Sequence, residues 1–96
     1  MTRDEGRAFI RARLDSQFGK THNISDEGSS RTQLVSFVLM PVAPGAHQHV
    51  LEVHEDLLVG DELESQLEEA RLMARFRQEG IRRLRIPPSG PAEVLE

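Results

Sequence analysis

The stretch TQLVSFVLMPV (residues 32–42) carries the strongest strand pattern in the chain and decides the predicted fold. Both alternating sets of its side chains are apolar. One set contains Leu34, Val38, Met40 and Val42, and the other contains Val35, Phe37 and Leu39. A strand that is apolar on both sides is typical of the middle of a sheet covered on both faces. The sequence therefore predicts a central position for this strand.

The segments that follow predict a strand, a helix and a further strand. After an APGA turn, HQHVLEVHEDLLV (residues 47–59) alternates between two faces, which predicts a half-buried strand antiparallel to the first. DELESQLEEARLMARFRQEG (residues 61–80) predicts a helix that Asp61 caps and Gly80 ends. IRRLRI (residues 81–86) predicts a short third strand.

The two ends of the chain predict a helix and a tail. TRDEGRAFIRARLDSQFG (residues 2–19) predicts a helix, with a capping box formed by Thr2 and Glu5 and a stop at Gly19. Residues 19–31 lack hydrophobic periodicity and are rich in turn formers, which predicts a mobile loop. Residues 87–96 begin with two prolines and predict a flexible tail outside a single domain of residues 1–86.

These elements predict an α+β domain with two helices and a three-stranded sheet, in the chain order α-β-β-α-β. A right-handed crossover after the second strand would carry the third strand to the far side of the first, which gives sheet order 2-1-3. Charged residues would then lie at both sheet edges, where they discourage pairing with other chains. They are Glu52 and Asp56 on one side and Arg82, Arg83 and Arg85 on the other.

The second predicted helix has apolar residues on too many sides. On a 3.6-residue wheel, Leu72 and Phe76 point about 140–180° away from Leu63. The first helix could cover them, which would leave one sheet face bare, or it could cover that face and leave them exposed. Either arrangement predicts a homodimer or a protein partner. Alternatively, the tail through Val94 and Leu95, or the loop through Ile24, covers the surplus.

Composition excludes several classes of protein. The formal net charge of −4 gives no general attraction to nucleic acid or to an anionic membrane. With no cysteine, the chain has neither disulfides nor thiolate metal sites, which fits a reducing compartment. No long apolar segment or signal sequence is present, so we expect a cytoplasmic protein without a membrane interaction. No cofactor motif is evident.

The histidines His47 and His49 raise the question of a metal site. Their His-x-His spacing, with Gly60 downstream, resembles the first motif of the cupin family, which implies a metal-binding β-barrel. Glu52 and Glu55 fall at other offsets than the glutamate of that motif, and the chain then turns helical. A metal also needs three or four converging ligands. The pattern favours histidines at the start of a strand, with metal binding as a distant alternative.

Charge layout and the apolar surplus together favour a non-enzymatic protein-binding or regulatory module. The predicted partner-facing helix surface consists of Arg71, Leu72, Arg75 and Phe76. Arg82, Arg83 and Arg85 form a basic edge for phosphates or an acidic partner. The alternative is a nucleic-acid-binding regulator that uses this edge with Arg3, Arg7 and Arg11. No aromatic residue lies among Arg82, Arg83 and Arg85 for base stacking, and the neighbouring acidic residues repel a polyanion, so the protein partner is favoured.

Overall fold

The computed structural model describes residues 2–29 and 31–96, and it confirms an α+β domain. The sheet has five strands in the described residues instead of the three predicted. In chain order the elements are α1 (Arg3–Phe18), β1 (His22–Ser29), β2 (Leu34–Pro41), β3 (His49–His54), α2 (Glu55–Leu58), α3 (Leu63–Ala70), a π-helix (Ala74–Gln78), β4 (Arg83–Ile86) and β5 (Glu93–Val94).

Helix α1 begins with the predicted capping box. The backbone N–H of Thr2 donates to Oε1 of Glu5 at 3.1 Å, and the backbone N–H of Glu5 donates to Oγ1 of Thr2 at 3.2 Å. These two bonds satisfy amide groups that have no partner inside the first turn. Gly19 caps the other end of the helix, and its N–H donates to the carbonyl of Asp15.

The strand order differs from the predicted 2-1-3, because the strands follow one another across the sheet as β1-β2-β3-β4-β5. Strands β1, β2 and β3 are antiparallel neighbours, β4 is parallel to β3, and β5 is antiparallel to β4. The crossover after β3 returns to the free side of β3. It cannot reach the far side of β2, since β1 already occupies that position.

Two segments without predicted secondary structure contain strands. The predicted loop at residues 19–31 contains β1, which pairs along its whole length with β2. The predicted tail at residues 87–96 contains β5, and the N–H of Leu95 donates to the carbonyl of Arg83 at 2.9 Å. Both segments are polar, and both owe their extended form to pairing with a more apolar neighbour.

The helices and the π-helix pack together on one face of the sheet. Buried apolar side chains from all these elements form one core with a single parity set of the strands. From the strands, this core takes Ile24, Val35, Phe37, Leu39, Leu51, Val53, Leu84 and Ile86. Of the two predicted alternatives, the chain adopts the one in which α1 covers the second helical region and leaves the other sheet face bare.

The single helix predicted over residues 61–80 is interrupted. Helix α3 ends at Ala70, and Arg71 has a left-handed backbone with φ 50° and ψ 55°. The chain then turns helically again and widens into the π-helix, in which the N–H of Glu79 donates to the carbonyl of Ala74. The break resets the helical phase, so that Leu72 and Phe76 face the same core as Leu63.

Candidate functional site

The predicted partner-facing surface does not form, because its apolar members are buried inside the chain. Leu72 is 4% exposed and Phe76 is 1% exposed. The Phe76 ring lies 6.0 Å from the Phe18 ring of α1, measured between centroids. Arg71 is exposed and Arg75 half-buried, and neither belongs to an apolar patch with Leu72 and Phe76. The prediction of a docking site at these four residues is therefore corrected.

The uncovered apolar surface lies on the sheet instead. We call it the open face, and it consists of the side chains that point away from the helices. Its members are Asn23, Ser25, Glu27, Ser29, Leu34, Ser36, Val38, Met40, Val50, Glu52, His54, Arg83, Arg85 and Glu93. Val38 and Val50 are half-buried at the centre, and Met40 is 47% exposed. Met40 is exposed and the two valines are only half-buried because no described element of the chain covers them.

Two rows of side chains cross the open face perpendicular to the strands. The pairing places Ser25, Val38, Val50 and Arg83 in one row. It places Glu27, Ser36, Glu52, Arg85 and Glu93 in the next row. Across its width the face therefore carries an exposed acid on β1, two valines on β2 and β3, two arginines on β4 and a further acid, Glu93, on β5.

Glu52 lies at the centre of an ion-pair network on the open face. Nη2 of Arg83 donates to its Oε1 at 2.7 Å, and Nη2 of Arg85 donates to its Oε2 at 3.1 Å. The Glu52 side chain is only 5% exposed, whereas those of Arg83 and Arg85 are 42% and 38% exposed. Nε of Arg83 also lies 3.9 Å from Oε2 of Glu96, and Glu93 of β5 pairs in register with Arg85, so carboxylates balance the two arginines on this side of the face.

The arginines predicted to form a basic edge do not lie at a sheet edge in the structure. Strand β4 lies between β3 and β5, so Arg83 and Arg85 are on a sheet face and not at an edge. Arg82 precedes β4 and is exposed, and its N–H donates to the carbonyl of Glu96 at 2.8 Å. The three arginines therefore do not form one basic strip.

The arginines of α1 are paired within the chain. Nε of Arg7 donates to Oδ2 of Asp26 at 2.8 Å, and Nη1 of Arg11 donates to Oδ1 of the same carboxylate at 3.1 Å. Nη1 of Arg3 lies 3.6 Å from Oε2 of Glu55. A nucleic-acid phosphate would have to compete with these carboxylates, so this geometry gives the nucleic-acid alternative no support.

Three histidines meet at the end of the sheet where β1 and β3 begin. The rings of His22 and His49 are 5.5 Å apart between centroids, and the His49 ring stacks on Phe76 at 4.7 Å. Nε2 of His22 contacts the carbonyl of His47 at 2.7 Å. These residues line a cleft with a volume of about 320 Å³, which we call the histidine cleft.

The histidine cleft is not arranged as a metal centre. Within residues 2–29 and 31–96, no group of three or more histidine, cysteine, aspartate or glutamate side chains is placed to hold a metal ion. The predicted ligands His47 and His49 do not act as a pair. His47 is exposed in the loop before β3, whereas His49 is buried and its Nδ1 lies 2.8 Å from the carbonyl of Ile81.

Comparison with known proteins gives no relative. No family model matches the chain, and no curated protein or solved structure shows a significant match. In the part of the chain that the structure describes, no helix is long and apolar enough to cross a membrane.

Sequence reasoning missed the open face and the part that His22 plays in the cleft. A signal for the open face was present, since Leu34, Val38 and Met40 share one parity and were expected to be covered. His22 lay in the segment predicted as a loop. Only its spacing of two from Ile24 hinted that both side chains share the covered face of a strand.

Proposed function

We propose that this protein is a non-enzymatic interaction module that associates with a second copy of itself through the open face. The observation that carries the proposal is the graded row pattern of that face. A strip of half-buried valines lies between β1, which carries the exposed acid Glu27, and β4, which carries Arg83 and Arg85.

A second copy fits this pattern when a two-fold axis runs parallel to the strands between β2 and β3. Such an axis brings β2 opposite the partner's β3 and β1 opposite the partner's β4. Because the axis preserves the position along the strands, Val38 faces the position of Val50, and Glu27 faces that of Arg85. An axis perpendicular to the strands would instead place β1 on β1 and β4 on β4, so that Glu27 would not face Arg85.

The size of the face predicts a weak dimer. Neighbouring strands are about 4.8 Å apart and rise about 3.3 Å per residue, so the face measures roughly 20 Å in each direction. This area lies at the low end for stable protein interfaces, where complexes are transient. We therefore expect a dissociation constant on the order of tens of micromolar, which weakens at high salt because the charge pairs lie at the rim.

Sedimentation velocity over a range of concentrations tests the proposal. The wild-type chain is expected to shift from monomer toward dimer between about 10 and 500 µM. Val38→Lys introduces a charge at the centre of the face and is expected to abolish this shift. Val59→Lys is the matched control, because Val59 is 44% exposed at the end of α2 and lies off the sheet. A wild-type chain that stays monomeric throughout the range excludes the dimer.

A cross-linking experiment tests the register. The chain contains no cysteine, so introduced thiols are unique. When Val38→Cys and Val50→Cys chains are mixed, a short bis-maleimide is expected to link them to each other. Asn23→Cys chains are the control, since the two-fold axis places the two copies of this residue on opposite sides of the dimer. Efficient linking of Asn23→Cys chains to each other would contradict the proposed axis.

A further inference from the structure

A second site of different chemistry lies in the histidine cleft, away from the open face. Its walls include the apolar side chains of Ala43, Pro44 and Ala46, which belong to the loop between β2 and β3. Its volume of about 320 Å³ falls at the small end of the range for small-molecule sites. The cleft does not include the valines of the open face, so a test of ligand binding in the cleft is independent of the test of the dimer.

The lining of the cleft selects an anion. It carries the guanidinium group of Arg77 and three histidines, and none of its residues is a carboxylate. Nη2 of Arg77 donates to the carbonyl of Gln17 at 2.7 Å, and the guanidinium lies 5.0 Å from the centre of the Phe18 ring. Because a guanidinium has five N–H donors, Arg77 is held in place and still has donors for a carboxylate.

His49 supplies a hydrogen-bond acceptor inside the cleft. Its Nδ1 must carry the proton, because the carbonyl of Ile81 can only accept. The other ring nitrogen, Nε2, forms no hydrogen bond with the described residues and keeps contact with solvent, although the residue as a whole is 4% exposed. Burial lowers the pKa of His49, and the hydrogen bond to Ile81 only partly opposes this effect. The ring is therefore neutral near pH 7, with Nε2 as an acceptor.

His22 differs from His49 in having both ring nitrogens occupied. Its Nε2 donates to the carbonyl of His47, and its Nδ1 lies 2.8 Å from Oγ1 of Thr21. The histidine ring nitrogen still open to a ligand is thus Nε2 of His49. A ligand with a suitable donor can replace water at this atom and form a hydrogen bond beside the apolar walls of the cleft.

We infer that the histidine cleft binds a small organic acid whose carboxylate meets Arg77 and whose hydroxyl group donates to Nε2 of His49. Apolar walls favour a carbon skeleton between these two groups over a bare inorganic anion. A hydroxyl group at the end opposite the carboxylate matches an acceptor inside the cleft and a cation at its rim. The probe that represents this class is 4-hydroxybenzoate.

An NMR titration at pH 7.5 tests the site through the ring signals of the four histidines. The probe is expected to shift the signals of His47 and His49 and to leave that of His54, outside the cleft, in place. Benzoate lacks the hydroxyl group and 4-hydroxybenzamide lacks the charge, and each is expected to bind about three- to tenfold more weakly. Equal binding of benzoate, or the absence of any shift up to 10 mM probe, overturns the proposal.

Two variants separate binding from folding. His49→Asn keeps an N–H donor for the carbonyl of Ile81 but removes the acceptor at the Nε2 position, so affinity for 4-hydroxybenzoate should fall about three- to tenfold. His54→Asn is the matched control and should bind as the wild type does. Unchanged binding to His49→Asn rejects the site. Shifts with inorganic phosphate and none with the probe would show that the cleft takes an inorganic anion, which also rejects it.

Discussion

The close approach of α1 to α2 yields a prediction whose sign is opposite to that expected from helix propensity. Gly6 is buried in α1, and a Cβ atom at this position would lie 2.3 Å from the carbonyl oxygen of Leu58. Ordinary van der Waals contact begins near 3.4 Å. The backbones of α1 and α2 must therefore move apart by about 1.1 Å to accommodate the Cβ atom. A flexible side chain could rotate away, but a backbone carbonyl cannot.

The size of the effect follows from two opposing contributions. Replacing glycine with alanine inside a helix favours the folded state by about 1 kcal/mol. Overpacking of a tight contact costs about 1–3 kcal/mol, and the rigid backbone places Gly6 at the upper end of that range. Gly6→Ala should therefore lower the free energy of unfolding by about 1–2 kcal/mol.

Urea denaturation followed by circular dichroism measures this change, with Gly28→Ala as the control. A Cβ on Gly28 in β1 would meet Nη1 of Arg7 at 3.5 Å, which is an ordinary contact. Gly28→Ala should therefore be neutral or stabilising by about 0.4–1 kcal/mol. If Gly6→Ala proves more stable than the wild type, the helices do not meet as described.

Three further predictions concern the core, the pH response and the helix break. Phe76→Ala should lower the free energy of unfolding by about 3–5 kcal/mol in urea denaturation, because Phe76 is 1% exposed. Met73→Ala should lower it by less than about 1 kcal/mol, because Met73 is 40% exposed. Equal losses in the two variants would place Phe76 on the surface. Burial holds the pKa of His49 below its ordinary value of 6.5, so the unfolded chain binds more protons there and stability should fall as pH drops below 6.5. His49→Asn should flatten that dependence in denaturation curves at pH 7.5 and 5.5, and an unchanged slope would assign it to other groups. Arg71→Gly removes a left-handed non-glycine residue and should raise the thermal midpoint or leave it unchanged, whereas Arg75→Gly in the π-helix should lower it; a drop of equal size in both variants would contradict the left-handed assignment.

The sequence predicted an apolar surplus at Leu72 and Phe76, and the structure buries both residues. A uniform wheel put Leu72 and Phe76 on the far side of the helix from Leu63, because a wheel assumes one unbroken helix. Arg71 breaks that assumption, and arginine is not a residue type that usually signals a left-handed position. The free energy gained by burying these two side chains exceeds the free energy lost by interrupting the helical hydrogen bonds.

The strand order could not be obtained from local patterns for a related reason. The segment HNISDEGS has one large apolar residue, Ile24, and its composition matches that of a loop. It becomes β1 through its pairing with β2, which is a long-range contact that no local window contains. Once β1 occupies that side of β2, the crossover can place β4 only beside β3. The capping box at Thr2 was predictable because it depends on four consecutive residues.

The left-handed residue Arg71 separates α3 from the π-helix that carries Phe76. On its far side, Phe76 touches the Phe18 ring in the interior and stacks on His49 in the cleft. A rotation of the π-helix about Arg71 would thus shift one aromatic ring that belongs to both places. A displacement of that ring would therefore alter both the packing of α1 and the shape of the cleft.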